Sequence, residues 1–174
     1  MALTTFQGPV RSLNGFISDG PGAVKAVSTA TLTLDINTYA GRTMNITAAT
    51  TTITLPTLNA TADPASSGPG SDPNNPNNIG INYTFFLPTA ATTVKIITAA
   101  SNFLLGSAFV AVSAGTDTTF FADGTATRSI NLNGTTTGGI AGTFCTITAV
   151  TATQWLIQGA LLGSGTVATP FANS

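Results

Sequence analysis

The sequence contains no histidine and no glutamate, and charged residues make up 6% of its 174 residues. A typical globular domain is about 25% charged. Histidine and glutamate are two of the side chains most often used as general acids and bases, so we expect no enzymatic activity. The five lysine and arginine residues form no basic cluster, and the formal net charge is −1. Because nucleic-acid binding needs cations that displace counterions from phosphate, we expect no nucleic-acid partner.

Cysteine is almost absent as well, since Cys145 is the single one. One thiol excludes an internal disulfide and a multi-thiolate metal site, and no histidine is present to activate it. Its strand-like surroundings instead predict a small, buried apolar side chain. The asparagine-rich run 74–78 offers carbonyl oxygens for Ca²⁺, but calcium sites usually contain several carboxylates, and only Asp63 and Asp72 are near. We therefore expect no metal ion and no cofactor.

Long apolar runs are missing too. The first residues lack the basic and apolar regions of a secretory signal. The most apolar charge-free stretch, between Lys95 and Asp117, contains serine, threonine, asparagine and glycine, so it is too polar for a transmembrane helix and no membrane partner is expected. Near-zero net charge and sparse surface charge promote association, which favours an assembled protein. The alternative is an ordinary threonine-rich β-domain that its hydroxyl groups keep soluble.

Threonine is the most abundant residue, with 34 copies, and it alternates with valine, isoleucine and phenylalanine. These residues favour strands, whereas threonine and glycine are poor helix formers. The clearest alternation runs through Ile81, Tyr83, Phe85 and Leu87 and ends at Pro88. Strands are predicted over residues 27–36, 42–46, 50–55, 81–87, 93–98, 103–112, 118–122, 129–132, 143–150 and 154–159. Their number and spacing predict an all-β fold, either a single antiparallel β-sandwich, jelly-roll-like, or a barrel.

The chain divides into two predicted parts. Residues 1–25 are expected to form an extended N-terminal arm, because their turn signals follow one another too closely for regular structure. Residues 26–174 are expected to form the β-sandwich domain, which ends in a short C-terminal tail. Within this domain the segment 63–79 contains four prolines and predicts a long surface loop. Such loops are usually functional or mobile, and a tolerated surface insertion is an equal alternative.

Asp117 and Asp123 flank a predicted strand and are the candidates for a catalytic pair. Two carboxylates about 5–9 Å apart act as acid and base in glycoside hydrolysis. Each of these aspartates lies beside a turn signal, however, where aspartate is common because its side chain accepts hydrogen bonds from the backbone. We therefore expect both residues to stabilise turns rather than to act in catalysis.

A pattern of strands, glycine turns and one tryptophan recurs through the second half of the chain. Its segments are 131–139, 142–147, 154–159 and 165–171, together with 53–56 and 83–87 upstream. This pattern resembles the β-rich structural proteins of tailed bacteriophages, especially capsid decoration (cement) proteins. The resemblance covers roughly residues 40–171 and excludes the predicted arm and the 63–79 loop.

The resemblance implies a virion structural protein on the capsid exterior. Such a protein is a small β-domain, commonly a homotrimer, that clamps neighbouring subunits of the major capsid protein. It is made in the host cytoplasm, which agrees with the lack of a signal peptide. A protein that binds only the assembled lattice stabilises that lattice by mass action.

The predicted arm supplies the candidate capsid-binding residues. They are Phe6, Val10, Arg11, Leu13 and Phe16, which are four apolar anchors and one guanidinium. An arm of this kind adds a strand to an exposed edge of a partner sheet in one common mode of recognition. Packing of the same residues on the protein's own sandwich is an equal alternative.

A second function stays open at this point, that of a tail, fibre or head-fibre component that binds a host receptor or glycan. This function predicts an exposed cluster of tryptophan and tyrosine that forms a binding platform. The available residues are Trp155, Tyr39 and Tyr83. Trp155 lies in an apolar strand, which is more typical of a core residue.

Overall fold

The structure is a computed structural model that describes residues 24–60 and 78–174. The predicted arm lies outside the described residues except for Val24 and Lys25, and the predicted 63–79 loop does so except for Asn78 and Ile79. The described residues form twelve strands and one short helix. In chain order these are β1 (Val24–Val27), β2 (Thr31–Thr33), α1 (Ile36–Tyr39), β3 (Thr43–Ile46), β4 (Thr50–Thr54), β5 (Asn82–Phe86), β6 (Thr93–Ile97), β7 (Phe103–Val112), β8 (Thr118–Asp123), β9 (Ser129–Leu132), β10 (Phe144–Ala149), β11 (Gln154–Gly163) and β12 (Phe171–Ala172).

The strands form two sheets that pack around one apolar core. The larger sheet has seven strands in the order β1-β3-β5-β10-β11-β7-β8, and the smaller has five in the order β12-β9-β6-β4-β2. The prediction of an all-β sandwich is therefore confirmed. Among residues 24–60 and 78–174, no strand joins the two ends of either sheet, which distinguishes this sandwich from the barrel that was the other expectation.

Both sheets are mixed, whereas the sandwich predicted from the sequence was antiparallel. From β1 to β6 the chain alternates between the two sheets, so β1, β3 and β5 are parallel in the larger sheet, and β2, β4 and β6 are parallel in the smaller. Of the other pairs, β7 with β11 is parallel and the rest are antiparallel. A period of two shows which face of a strand is buried but not the direction of its neighbour, so alternation alone could not reveal parallel pairing.

The strand predicted over residues 27–36 is wrong, because this segment contains the end of β1, all of β2 and the start of α1. The carboxylate of Asp35 accepts a hydrogen bond from the N–H of Thr38 at 2.7 Å and so caps the first turn of α1. Aspartate is among the preferred N-cap residues, and this local bond interrupts the extended backbone. Among residues 24–60 and 78–174, no helix has the length and apolarity needed to span a membrane.

Inward-facing side chains of both sheets fill the core. Tyr83 and Trp155 are fully buried, with ring centroids 5.9 Å apart, so Trp155 is the core residue that its strand predicted. Cys145 is buried as expected, and its burial raises the pKa of the thiol to about 12. The thiol is therefore protonated and inert at neutral pH. A closely packed interior of this kind makes the sandwich a rigid support for its outer faces.

Candidate docking surface

The candidate capsid-binding residues of the predicted arm lie outside the described residues. These residues are Phe6, Val10, Arg11, Leu13 and Phe16. Their role stays a prediction that the structure does not test. Within residues 24–60 and 78–174, a docking surface must come from the outer faces and free edges of the two sheets.

Asp117 and Asp123 lie at the two ends of β8, and both bind the backbone. Asp117 accepts a hydrogen bond from the N–H of Val112 at 2.9 Å. Asp123 accepts three, from the N–H groups of residues 125–127 at 2.8 to 3.0 Å, and these hold its pKa well below the usual range. The described part of the chain contains no group of three or more aspartate or cysteine side chains placed to hold a metal ion. Both aspartates therefore stabilise turns, as the sequence predicted.

Four phenylalanines lie on the outer side of the larger sheet, away from the core. Phe86 on β5, Phe144 on β10, Phe109 on β7 and Phe121 on β8 have exposed fractions of 38%, 49%, 41% and 76%. Side chains alternate between the two faces of a strand, so the neighbours of these rings point inwards. We call the outer side of the larger sheet the aromatic face.

Strand register brings three of the four rings into one row across the aromatic face. Phe86 lies opposite Phe144, Phe144 lies opposite Ala160 on β11, and Ala160 lies opposite Phe109. Residues opposite one another share a face and have Cα atoms about 4.5–5.5 Å apart. Ala160, the smallest side chain of this row, lies between Phe144 and Phe109.

The next row across the same face contains four uncharged polar residues and ends at the apolar Phe121. It consists of Thr84, Thr146, Gln158, Ser107 and Phe121. The hydroxyl oxygens of Thr84 and Thr146 lie 3.3 Å apart and share a hydrogen bond. Among the strand residues on this outer side, Asp123 is the one with a charge, and its carboxylate is held by the adjacent turn. Scarcity of charge together with exposed aromatic rings is typical of the centre of a protein interface.

The outer side of the smaller sheet has different chemistry. Register places Thr31 opposite Thr52 and Thr33 opposite Thr54, and Lys95 continues the first of these rows. None of the large, exposed apolar side chains of the described residues lies on this sheet. Clustered apolar exposure marks interaction sites, so the aromatic face is the better candidate for docking.

The sequence contained a signal for two of the four exposed rings. Phe85–Phe86 and Phe120–Phe121 are adjacent pairs inside predicted strands. Because successive side chains of a strand point to opposite faces, one ring of each pair must point away from the core. No comparable signal exists for Phe109 and Phe144, whose outward direction follows from the register and the burial of their neighbours.

Comparisons with known proteins give this chain no relative. No protein-family model matches it, and neither a curated protein nor a solved structure matches it with significance. The assignment of a function therefore depends on the chemistry and geometry of the chain itself, in which the aromatic face is the most distinctive surface of the described residues.

Proposed function

We propose that this chain is a virion structural protein, a capsid decoration (cement) protein of a tailed bacteriophage that binds the assembled major capsid lattice from outside and stabilises it. The observation that carries the proposal is the aromatic face, with its four exposed rings and one charged residue. A broad, rigid face of this chemistry suits another protein surface better than a small molecule, which needs a concave site. The resemblance of segments 131–139 and 154–159 to decoration proteins supports the same function.

The four rings provide enough free energy for weak binding by a single copy. At about 200 Å² per ring, burial of their exposed fractions removes about 400 Å² of apolar surface from water. At about 25 cal/mol per Å², this contributes about 10 kcal/mol. Loss of translational and rotational freedom costs about 4–15 kcal/mol, so the surplus per copy is small. We therefore expect the stabilisation of a capsid to come from many copies rather than from tight binding by each one.

Binding stabilises the capsid only if the protein binds the assembled lattice more tightly than the separated subunits. A protein that binds the assembled state and not the separated subunits shifts the equilibrium towards assembly. Linked copies strengthen this effect, because the second contact is intramolecular once the first has formed. The homotrimer implied by the resemblance stays a prediction.

The test uses purified particles that contain the chain. We expect capsids stripped of the protein to release their DNA at a lower temperature than intact ones, and added wild-type protein to restore heat resistance. The double substitution Phe109→Ser and Phe144→Ser should fail to restore it, because the exposed rings on both sides of Ala160 are removed. The readout is the temperature at which DNA becomes accessible to a dye.

Val150→Ser is the matched control for the double substitution. Val150 is an exposed apolar residue, 37% accessible, that follows β10 in the turn to β11 and is six residues from Phe144, beyond the rows that contain the four rings. This variant should restore heat resistance as well as the wild type does. Stripped capsids that keep full heat resistance, or a double variant as effective as the wild type, would contradict the proposal.

The alternative of a receptor-binding or glycan-binding fibre component required an exposed platform of tryptophan and tyrosine. Trp155 and Tyr83 are fully buried, and Tyr39 is partly buried against the core. No observation within the described residues favours this function. A glycan array probed with the labelled protein tests it, and a reproducible signal on one defined glycan would replace the decoration proposal.

A further inference from the structure

Strand β8 forms one end of the larger sheet, and its outer edge is free. It pairs with β7 on one side, from Thr118 opposite Val110 to Asp123 opposite Leu105. No strand within residues 24–60 and 78–174 pairs with its other side. A free edge presents unpaired N–H and C=O groups that can pair with another chain.

One hydrogen bond fixes which groups of β8 face outwards. The N–H of Gly124 donates to the carbonyl oxygen of Leu104 at 2.8 Å, so Gly124 faces β7. Successive residues of an antiparallel strand alternate in this direction, which turns the backbone groups of Thr119, Phe121 and Asp123 away from β7. In agreement, the N–H of Asp123 donates to the hydroxyl of Thr127 rather than to β7.

The outward groups of Thr119 and Phe121 have no hydrogen-bond partner in the described structure. The side chain of Phe121 is also the most exposed of the large apolar ones described, at 76%. Natural edge strands are commonly protected by lysine, proline or a bulge. Residues 118–122 contain neither lysine nor proline, and their register with β7 is continuous. This edge therefore lacks these three protections.

We propose that β8 pairs with β8 of a second copy of this chain, antiparallel and around a two-fold axis at Phe120. The strand is complementary to itself, because antiparallel pairing places the donors and acceptors of Thr119 opposite those of Phe121 in the partner subunit. No charged residue lies between 118 and 122, so two copies of the edge do not repel each other. The N–H of Asp123 is already bound to Thr127, which leaves Phe120 at the centre of the free groups.

This register has three structural consequences. It forms about four new backbone hydrogen bonds, two for each pair of Thr119 and Phe121. It covers the Phe121 ring with Thr119 of the partner subunit, and it brings the two partly buried Phe120 rings together on the axis. It also places the partner's turn 124–126 opposite residues 114–116, which line a cleft of about 480 Å³ with residues 165–167. The assembly is a dimer, in place of the trimer implied by the resemblance.

Sedimentation velocity of the full chain over a range of concentrations tests this pairing. We expect a wild-type dimer, and we expect Phe121→Lys and Thr119→Pro each to raise the dimer dissociation constant roughly tenfold or more. The proline removes an N–H that points away from β7, so the ladder with β7 is preserved. Val150→Lys is the matched control, because it places the same charge at an exposed apolar position in the turn between β10 and β11, away from the β8 edge. It should leave the dimer intact.

Amide hydrogen exchange provides a measurement that needs no substitution. The N–H groups of Thr119 and Phe121 should exchange slowly in the dimer and rapidly after dilution, whereas that of Ala122, which faces β7, should be protected at both concentrations. A monomeric or trimeric wild type, edge variants that dimerise normally, or exchange at Thr119 and Phe121 that does not depend on concentration would each overturn the proposal. All of these measurements use the protein without capsids, so their outcome does not depend on the decoration function.

Discussion

At the end of β8 the backbone N–H groups of the turn have no partner strand, and the side chain of Asp123 accepts hydrogen bonds from them instead. Its carboxylate accepts hydrogen bonds from three consecutive N–H groups, those of residues 125–127. In the same turn the side-chain amide of Gln154 donates to the carbonyl oxygen of Gly124 at 3.0 Å. These bonds satisfy polar groups that would otherwise compete with the end of β8 for partners.

We expect Asp123→Ala to destabilise the protein, because three N–H groups lose their acceptor. The pKa of Asp123 is lowered by folding from an ordinary value of 3.8, so the folded state binds the proton less readily than the unfolded state. Its contribution is therefore complete above the unfolded pKa and is lost as the pH falls through the folded pKa. In urea unfolding, the wild type should lose stability between about pH 5 and pH 2, and Asp123→Ala should lose less over the same interval.

Asp117→Ala is the matched control, because Asp117 accepts one N–H at the other end of β8. It should lower the free energy of unfolding at neutral pH by a smaller amount than Asp123→Ala does. If the stability of the wild type and that of Asp123→Ala depended equally on pH between about 5 and 2, the role assigned to the Asp123 carboxylate would be wrong.

At the scale of strands and turns, alternation predicted where most strands lie. The predicted strands 81–87 and 93–98 correspond to β5 (Asn82–Phe86) and β6 (Thr93–Ile97). They could be predicted because one face of each strand packs on the core, which imposes a period of two. Sheet membership and strand direction depend on contacts between residues far apart in the chain, and a local pattern contains no information about such contacts.

The sequence also predicts two hairpins, one at the Asn133–Gly134 turn signal after the strand 129–132 and a final one between the strands 143–150 and 154–159, and they show the same limit. The final one is confirmed, since β10 and β11 pair antiparallel from Phe144 opposite Ala160 to Ala149 opposite Trp155. At Asn133–Gly134 the turn is present, with Gly134 at a φ of 72°, but β9 lies in the smaller sheet and β10 in the larger. The predicted hairpin there is wrong, because a turn signal fixes the local backbone and core packing decides the partner strand.

The parallel pair of β7 and β11 depends on a glycine in the middle of β7. Gly106 has a φ of 120°, and a Cβ at this position would collide with the backbone carbonyl oxygen of Ile157 on β11. We expect Gly106→Ala to lower the free energy of unfolding by at least about 2 kcal/mol, from backbone strain and overpacking together. Urea unfolding monitored by the fluorescence of Trp155, which is also on β11, measures this loss.

Gly41→Ala measures backbone strain alone, and so separates it from the overpacking that also lowers the free energy of unfolding in Gly106→Ala. Gly41 also has a positive φ, 70°, but no atom lies within 4 Å of its hypothetical Cβ. The substitution there should cost about 1–2 kcal/mol from the backbone alone. Equal losses at the two positions would show that the contact with β11 is unimportant.

For the whole molecule, composition predicted a tendency to associate but not the surfaces responsible. The aromatic face depends on the register that aligns Phe86, Phe144 and Phe109, and the exposure of Phe121 depends on the position of β8 at the end of the sheet. Both are properties of strand order. From the sequence, the docking surface was predicted in the arm, residues 1–25, because turn signals and apolar anchors are local features that can be recognised without knowing the strand order.

The aromatic face and the β8 edge are compatible surfaces in the proposed assembly. A two-fold axis at Phe120 pairs Thr119 with Phe121, which are both on the outer side, so the axis is perpendicular to the sheet and both aromatic faces point in the same direction. The dimer would then present a continuous sheet of fourteen strands, twice the seven of one copy. Such a dimer would bind the proposed capsid lattice through two linked faces, which would raise its avidity without any stronger contact.

We expect the association of this protein to be insensitive to salt. The surfaces proposed to bind contain one charged residue per copy, Asp123, and its carboxylate is bound by its own turn. Raising the ionic strength from about 0.1 M to about 1 M shortens the Debye length from about 10 Å to about 3 Å, which weakens association driven by ion pairs. Sedimentation velocity at both salt concentrations should give dimer dissociation constants within about threefold of each other, because apolar contacts are not screened. A dimer that dissociates at high salt would show that charged groups elsewhere on the chain hold the copies together.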